Sequence, residues 1–374
     1  MNKYILSILI ILSLILCGCT NTEESNVSPV AQFSFETSLD DTNNKHSLIP
    51  YGEMSFNVSG ISGNSISLDG GYLMLGNSAD LKLKNKFTYS VWININDFIS
   101  YNPILFGNES SSGDIAGGPL SIYFNENYTA LQCDLTFVTN DNKYKSHSFI
   151  AQSVTALENL KQQWTHIVVS LNNDVLKMYI DGKKVYDQSL PEDFGSYKEI
   201  ATNSKPYTFG RSLYRNFDAS LDEMKIYDVA LSEDKIKSIY NTKISSYTNL
   251  LTLKKENTEI RINKEAHNLP APIVADSISG DLLIPLKAFC DAMGASLNWD
   301  GSDGIGRLDI SFNNHNASFW ILNSNASFDG KHTKIEPYPQ TINDIAYVPL
   351  VAFVESIGGI IKYNSQDGSY NIYY

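Results

Sequence analysis

Phe87-Thr88-Tyr89-Ser90-Val91-Trp92-Ile93, Trp164-Thr165-His166-Ile167-Val168-Val169-Ser170-Leu171 and Leu176-Lys177-Met178-Tyr179-Ile180 each place alternate large side chains on one face. Successive side chains on a strand point to opposite sides, so this alternation predicts half-buried antiparallel strands. Asn172-Asn173-Asp174 and Asp181-Gly182 supply residues that tolerate positive φ, and hairpins are expected at both places. The same texture, short strands broken by Gly, Asn, Asp and Ser, extends from Val30 to Asn241 and predicts a β-sandwich. A helix is expected to close it. Ser232 is a suitable N-cap, Glu233 and Asp234 favour the positive end of the helix dipole, and Ile236, Ile239 and Tyr240 recur on one face.

Ahead of this region, Lys3 is followed by an apolar run from Tyr4 to Leu16 that ends on Leu16-Cys17-Gly18-Cys19. A membrane-spanning helix needs roughly 20 apolar residues, and polar Thr20 to Glu24 follow at once, so the layout is that of a signal peptide over residues 1–18. Leu16 to Cys19 resembles the bacterial lipobox, which implies that Cys19 is lipidated and anchors the chain on the outer face of the membrane. Residues 19–29 are polar and aperiodic, as a flexible tether would be. Besides Cys17 and Cys19 the chain has only Cys133 and Cys290, which fall in different predicted domains, so each is expected as a small buried residue and not as half of a disulfide.

The net charge of −13, with 41 acidic against 28 basic residues and no basic run, argues against nucleic acid as a partner. A length of 374 residues suits two domains.

Beyond an expected linker at 242–257 the character changes, and residues 258–374 hold an internal repeat. Leu283 to Trp299 realigns with Tyr347 to Tyr363, bringing Pro285 onto Pro349, 64 positions later. In each copy Pro starts a helix where its missing N–H costs nothing, Leu and Phe recur at helical spacing, and Gly provides a left-handed end. A strand carrying Trp299 or Tyr363 comes next, then a turn at Asp300-Gly301 or Asp367-Gly368 and a further strand. Two such α+β units facing one another would share one core.

Two resemblances follow from these residues. Phe33-Ser34-Phe35-Glu36, Asp40 to Asn44, Ser67 to Gly71, Phe87 to Trp92, Trp164-Thr165-His166, Met178 to Gly182, Phe209-Gly210 and Ala219 to Tyr227 resemble, in order, the strand signatures of concanavalin A-like domains of the laminin-G type. The repeat region is similar to the domain named from the N-terminal part of copper amine oxidase. That domain does not bear the copper, and none is expected here, because His267, His315 and His332 are scattered. The fold class expected is therefore mainly β: a laminin-G-like sandwich over 30–241, followed by a small α+β domain with an internal repeat.

Reactive constellations are scarce. A retaining glycosidase needs two carboxyl groups about 5–5.5 Å apart, and no alternating acidic run supplies them. Asp222 and Glu223 are adjacent on a predicted strand and would point to opposite faces. There is no Gly-x-Ser-x-Gly elbow and no HExxH, HxH or CxxC spacing. His166 is expected as a satisfied structural histidine, and Trp92 and Trp164 as core. Calcium is the best metal candidate, since it takes hard oxygen ligands from loops. The laminin-G resemblance implies Asp41, Asn43 and Asp222 as its ligands. Loop aromatics suited to stacking on sugars are Tyr101, Tyr128, Tyr197 and Tyr214. The function expected is extracellular recognition of a glycan or surface protein by a lipid-anchored, non-enzymatic chain. A hydrolase-related accessory protein and a structural envelope spacer are the alternatives.

Overall fold

The computed structural model describes residues 27–76, 81, 83–97, 103–108, 118–125, 129–152, 160–211, 217–302, 304 and 306–374. Cys19, Tyr101, Tyr128 and Tyr214 lie outside the described residues.

Two antiparallel sheets form the sandwich. The first runs in the order Lys183–Ser189, Val175–Ile180, Thr165–Asn172, Lys86–Asp97, Asp218–Tyr227, Asn64–Ser67 and Ser55–Ser59, with Ala31–Phe33 also paired to Asp218–Tyr227. The second runs Tyr144–Gln152, Ala130–Thr139, Leu120–Phe124, Ile104–Asn108, Tyr207–Phe209, Tyr72–Leu75 and Leu48–Tyr51, with Tyr197–Ile200 paired to Ala130–Thr139. Between them Phe87, Tyr89, Val91 and Ile93 of the first sheet meet Phe106, Ile122, Cys133, Phe137 and Phe209 of the second, all fully buried. Both predicted hairpins are present, with Asn173 at φ 57° and Asp181-Gly182 at 50° and 71°.

The strand Lys86–Asp97 is buried on both sides, which alternation alone does not foretell. Its outward-facing Thr88, Ser90 and Trp92 are covered by elements that follow the sandwich. Helix α1, Glu233–Ile244, starts as expected, with Ser232 Oγ accepting from Lys235 N–H. Its Ile236 packs with Val168, Tyr179, Tyr227 and Leu231 on the outer surface of the first sheet. Trp92 is only 1% exposed, yet it packs with Ile61, Trp164 and Ile360 and not in the interior of the sandwich.

The C-terminal domain contains helix α2, Leu286–Met293, and helix α3, Leu350–Ser356, each directly preceded by a proline. Gly294 ends α2 in the left-handed conformation, at φ 76°. The two copies are related by an approximate two-fold axis. Strands Leu282–Pro285 and Ile345–Pro349 pair antiparallel with Ile284 opposite Val348, its own repeat equivalent. Phe289 and Phe353, also 64 positions apart, meet edge to face at 6.0 Å. One core joins both copies. It also takes Leu251 and Leu253 from the strand Leu250–Lys254, which pairs with Ser369–Tyr373. That strand lies in the stretch expected as linker. Its alternation spans too few residues to stand out in the sequence, and burial of two leucines fixes it.

Candidate functional site

The centre of the outer face of the first sheet is covered by α1 and the C-terminal domain, while the outer face of the second sheet carries exposed aromatic and polar side chains. One register row crosses all seven strands on its main path: Ser148, Asp134, Ser121, Gly107, Thr208, Met74 and Ile49 are successive Cα partners. Residues at alternate positions share this face.

At one end Tyr51 and Tyr72 are direct cross-strand partners with rings stacked at 5.1 Å and 7°. The guanidinium of Arg211 lies 4.9 Å from the centre of the Tyr72 ring. Tyr51 is 39% exposed. In the middle, Tyr123 Oη donates to Asp134 Oδ2 at 2.7 Å and Gln132 Nε2 donates to Oδ1 at 2.9 Å. Burial, reinforced by the bond to Asp134, holds the Tyr123 hydroxyl well above its ordinary range, so it remains a donor. Thr136 and Ser146 join their hydroxyls at 2.8 Å, and at the far edge Tyr144 is 54% exposed. The surface thus offers flat aromatic faces at its margins and a row of fixed donors and acceptors between them.

The carboxylates on these strands are not spaced for bond cleavage. Glu199 stands opposite Val138, four positions along the strand from Asp134, which corresponds to about 13 Å. Paired glycosidase carboxyls stand about 5–5.5 Å apart in retaining enzymes and about 6.5–9.5 Å in inverting ones. A pocket of about 290 Å³ at another edge, lined by Phe35, Thr37, Ser38, Leu39, Phe56, Asn57, Ser65 and Ile66, carries no titratable side chain.

Of the tyrosines singled out in the sequence, Tyr197 begins a strand and packs its ring 4.6 Å from that of Phe137, with Phe194 at 6.4 Å. Its ring is committed to packing. Tyr51 and Tyr72 drew no attention in the sequence, because 21 residues separate them and only the register makes them neighbours.

Of the expected calcium ligands, Asp41 and Asn43 share one turn and Asp222 lies within the strand Asp218–Tyr227. Asp41 Oδ1 accepts from the N–H groups of Lys45 and His46, at 2.7 and 3.2 Å, and its Oδ2 is buried without a hydrogen-bond partner. Asn43 is exposed. Asp222 Oδ2 accepts from Ser62 N–H at 3.2 Å and Oδ1 from Glu223 N–H at 2.6 Å. Burial, with Glu223 beside it, pushes Asp222 up to about 8. Among the described residues no group of three or more His, Cys, Asp or Glu side chains gathers as a metal site.

His166 is fully buried, with Nε2 2.8 Å from Ser90 Oγ and its ring stacked on Trp92. Burial, then the nearby Lys362 and Lys225, brings it down to about 3, so it is neutral. Cys133 and Cys290 are unpaired and buried, and burial raises both thiols, that of Cys290 to about 12.

Fold and surface together define a concanavalin A-like β-sandwich joined to an α+β domain built from two related copies. Residues 68–237 match the family model described as the concanavalin A-like lectin/glucanases superfamily, and residues 261–372 match the copper amine oxidase N-terminal domain. Among solved structures, the chain is similar to domain 4 of AbnA, an extracellular arabinanase from Geobacillus stearothermophilus, in complex with arabinotriose. The identity is 17%, over 57% of this chain and 98% of that one, with a TM-score of 0.45. It is also similar to the binding domain of Paraclostridial Mosquitocidal Protein 1, at 15% identity over 92% and 91% of the two chains, with a TM-score of 0.49. The binding domain of botulinum neurotoxin serotype D matches at 14% identity over 92% and 85%, with a TM-score of 0.47. No curated protein matches.

Proposed function

We propose that this chain is a non-catalytic binding protein of the cell exterior, anchored through Cys19, whose sandwich takes up a glycan on the outer face of its second sheet. One observation carries the reading. The centre of the first sheet is covered on its outside, and the second presents the stacked Tyr51 and Tyr72 beside the Tyr123, Asp134 and Gln132 network. Sugar rings have an apolar face that suits a flat aromatic and hydroxyls that suit fixed donors and acceptors. The wide separation of Asp134 and Glu199 supports binding over hydrolysis. A protein ligand is the second reading, supported by the exposed Tyr144 and Ile49 on the same face.

Structural calcium at Asp41 and Asn43, with Asp222, is a subsidiary proposal. The unpartnered Asp41 Oδ2 supports it, and the backbone donors on Asp222 oppose it. A melting midpoint that is the same in chelator and in saturating calcium removes it.

The test of the main reading is a glycan array with the chain lacking its N-terminal apolar segment, compared with Tyr51→Ala. Binding to at least one glycan class is expected, and the variant is expected to weaken it about tenfold, equivalent to ~1.4 kcal/mol. An array with no binding, or binding indifferent to Tyr51→Ala, counts against this face.

A further inference from the structure

The internal repeat sets up a contrast. Offset by 64 positions, Asn298-Trp299 corresponds to Lys362-Tyr363. In the second copy this pair is docked on the sandwich: Lys362 Nζ reaches Asp181, and Tyr363 N–H donates to Gln163 Oε1 at 2.8 Å. In the first copy Trp299 is 55% exposed.

The indole is nevertheless held. A Cβ at Gly306 would come within 2.4 Å of Trp299 Cη2, and one at Gly301 within 3.2 Å of Nε1. Gly306 has φ +84°, where a side chain would be strained in any case. Glycine at both positions therefore lets one side of the ring lie on the hairpin backbone while the rest meets solvent. Exposing a tryptophan gives up the largest apolar burial any residue can contribute. A preformed aromatic platform for a ligand offsets that loss.

Two further exposed apolar side chains, Leu322 and Tyr338, lie at the same end of the sheet. Backbone bonds from Ile321 N–H to Gly306 and from Leu322 N–H to Pro339 bring them there. Beside the platform Arg307 is fixed between Asp300, at 3.3 Å, and Asp309, at 3.0 Å, and stays partly open to solvent. Three exposed apolar residues fall far short of the roughly 20–30 per side in a stable protein interface. One or two sugar rings match that extent, with an apolar ring face on the indole and hydroxyls toward Arg307 and Asp300.

We propose that Trp299 is the stacking platform of a second carbohydrate subsite, located in the C-terminal domain and independent of the sandwich face. The test is tryptophan fluorescence of the full soluble chain titrated with four hexasaccharides, built of β-1,4-linked glucose, xylose, mannose or N-acetylglucosamine. At least one is expected to give a saturable change in emission. Trp299→Ala should abolish that change and weaken binding, measured by calorimetry, at least tenfold, while Trp299→Phe retains part of it and Tyr51→Ala leaves it intact. Because Trp299 is exposed, the melting midpoint of the variants should match the parent, separating lost binding from lost folding. No response to any of the four, or undiminished binding by Trp299→Ala, overturns the proposal. A response lost in Tyr51→Ala but kept in Trp299→Ala assigns the sugar to the sandwich instead and overturns it equally.

Discussion

Lys362 of the C-terminal domain places its ammonium 2.7 and 2.9 Å from the two carboxylate oxygens of Asp181, the left-handed residue at a hairpin of the sandwich. The same ammonium donates to the carbonyl of Trp164 and lies 5.3 Å from the centre of the Trp92 ring. Asp181 Oδ1 also accepts from His166 N–H at 3.0 Å, so the carboxylate ties the hairpin to its neighbouring strand and the sandwich to the second domain. Burial lowers the affinity of Lys362 for its proton, and Asp181 opposes that fall. Around the pair, Ile61, Trp92, Trp164 and Ile360 form an apolar patch closed by Tyr240, Tyr247 and Tyr373. The two domains are therefore expected to unfold as one unit.

Lys362→Ala is expected to cost about 3 kcal/mol, because it strands a carboxylate that is mostly removed from water. Lys362→Met with Asp181→Asn should recover much of that loss. Urea unfolding followed separately by tryptophan fluorescence and circular dichroism checks both points. A coupling energy near zero in the double-mutant cycle would show that the pair contributes nothing to the joint.

Two buried groups contribute to the pH dependence with opposite signs. His166 is brought down to about 3 in the folded chain, so its contribution is present above the ordinary histidine value and is lost as pH falls from about 6.5 toward 3. Asp222 is pushed up to about 8, so its contribution is complete below about 3.8 and is lost as pH rises toward 8. Between about 4 and 6.5 these two slopes cancel. Outside that window their joint contribution falls on both sides, by about 1 kcal/mol per pH unit. Asp222→Asn should reduce the alkaline fall and leave the acid one. A fall between pH 7 and 8 that is as steep in this variant as in the parent contradicts the assignment.

Much of the fold was legible because its signals are local. Asn173 and Asp181 adopt the positive φ their types suggest, Ser232 caps its helix, and Pro285 and Pro349 precede theirs. What stayed hidden depends on contacts between distant segments. Alternation shows that Trp92 and Phe87 face opposite ways, but not that the C-terminal domain covers the outward one. A lysine such as Lys362 reads as solvated surface until a carboxylate 181 positions earlier is found beside it. Tyrosines suited to stacking on sugars were sought in loops, and the exposed stack of Tyr51 and Tyr72 lies on paired strands.

Cys19→Ala is expected to release the chain from the membrane. Attachment is expected to rest on the acyl chains, each CH₂ contributing about 0.8 kcal/mol. Fractionation of cells expressing the variant is the check, and persistence in the membrane fraction counts against the anchor.

Phe289 and Phe353 are repeat equivalents that touch each other across the approximate two-fold axis, and each is 1% exposed. Either one changed to alanine removes a large ring from a shared core and should cost about 3–5 kcal/mol. Since each ring is part of the wall of the other's site, the second truncation enlarges an existing cavity and forfeits no further ring contact. The double variant should therefore lose less than the sum of the singles, by at least about 0.5 kcal/mol. Strict additivity would mean that the two copies fold around separate cores, which the single cluster joining Ile284, Phe289, Val348 and Phe353 argues against.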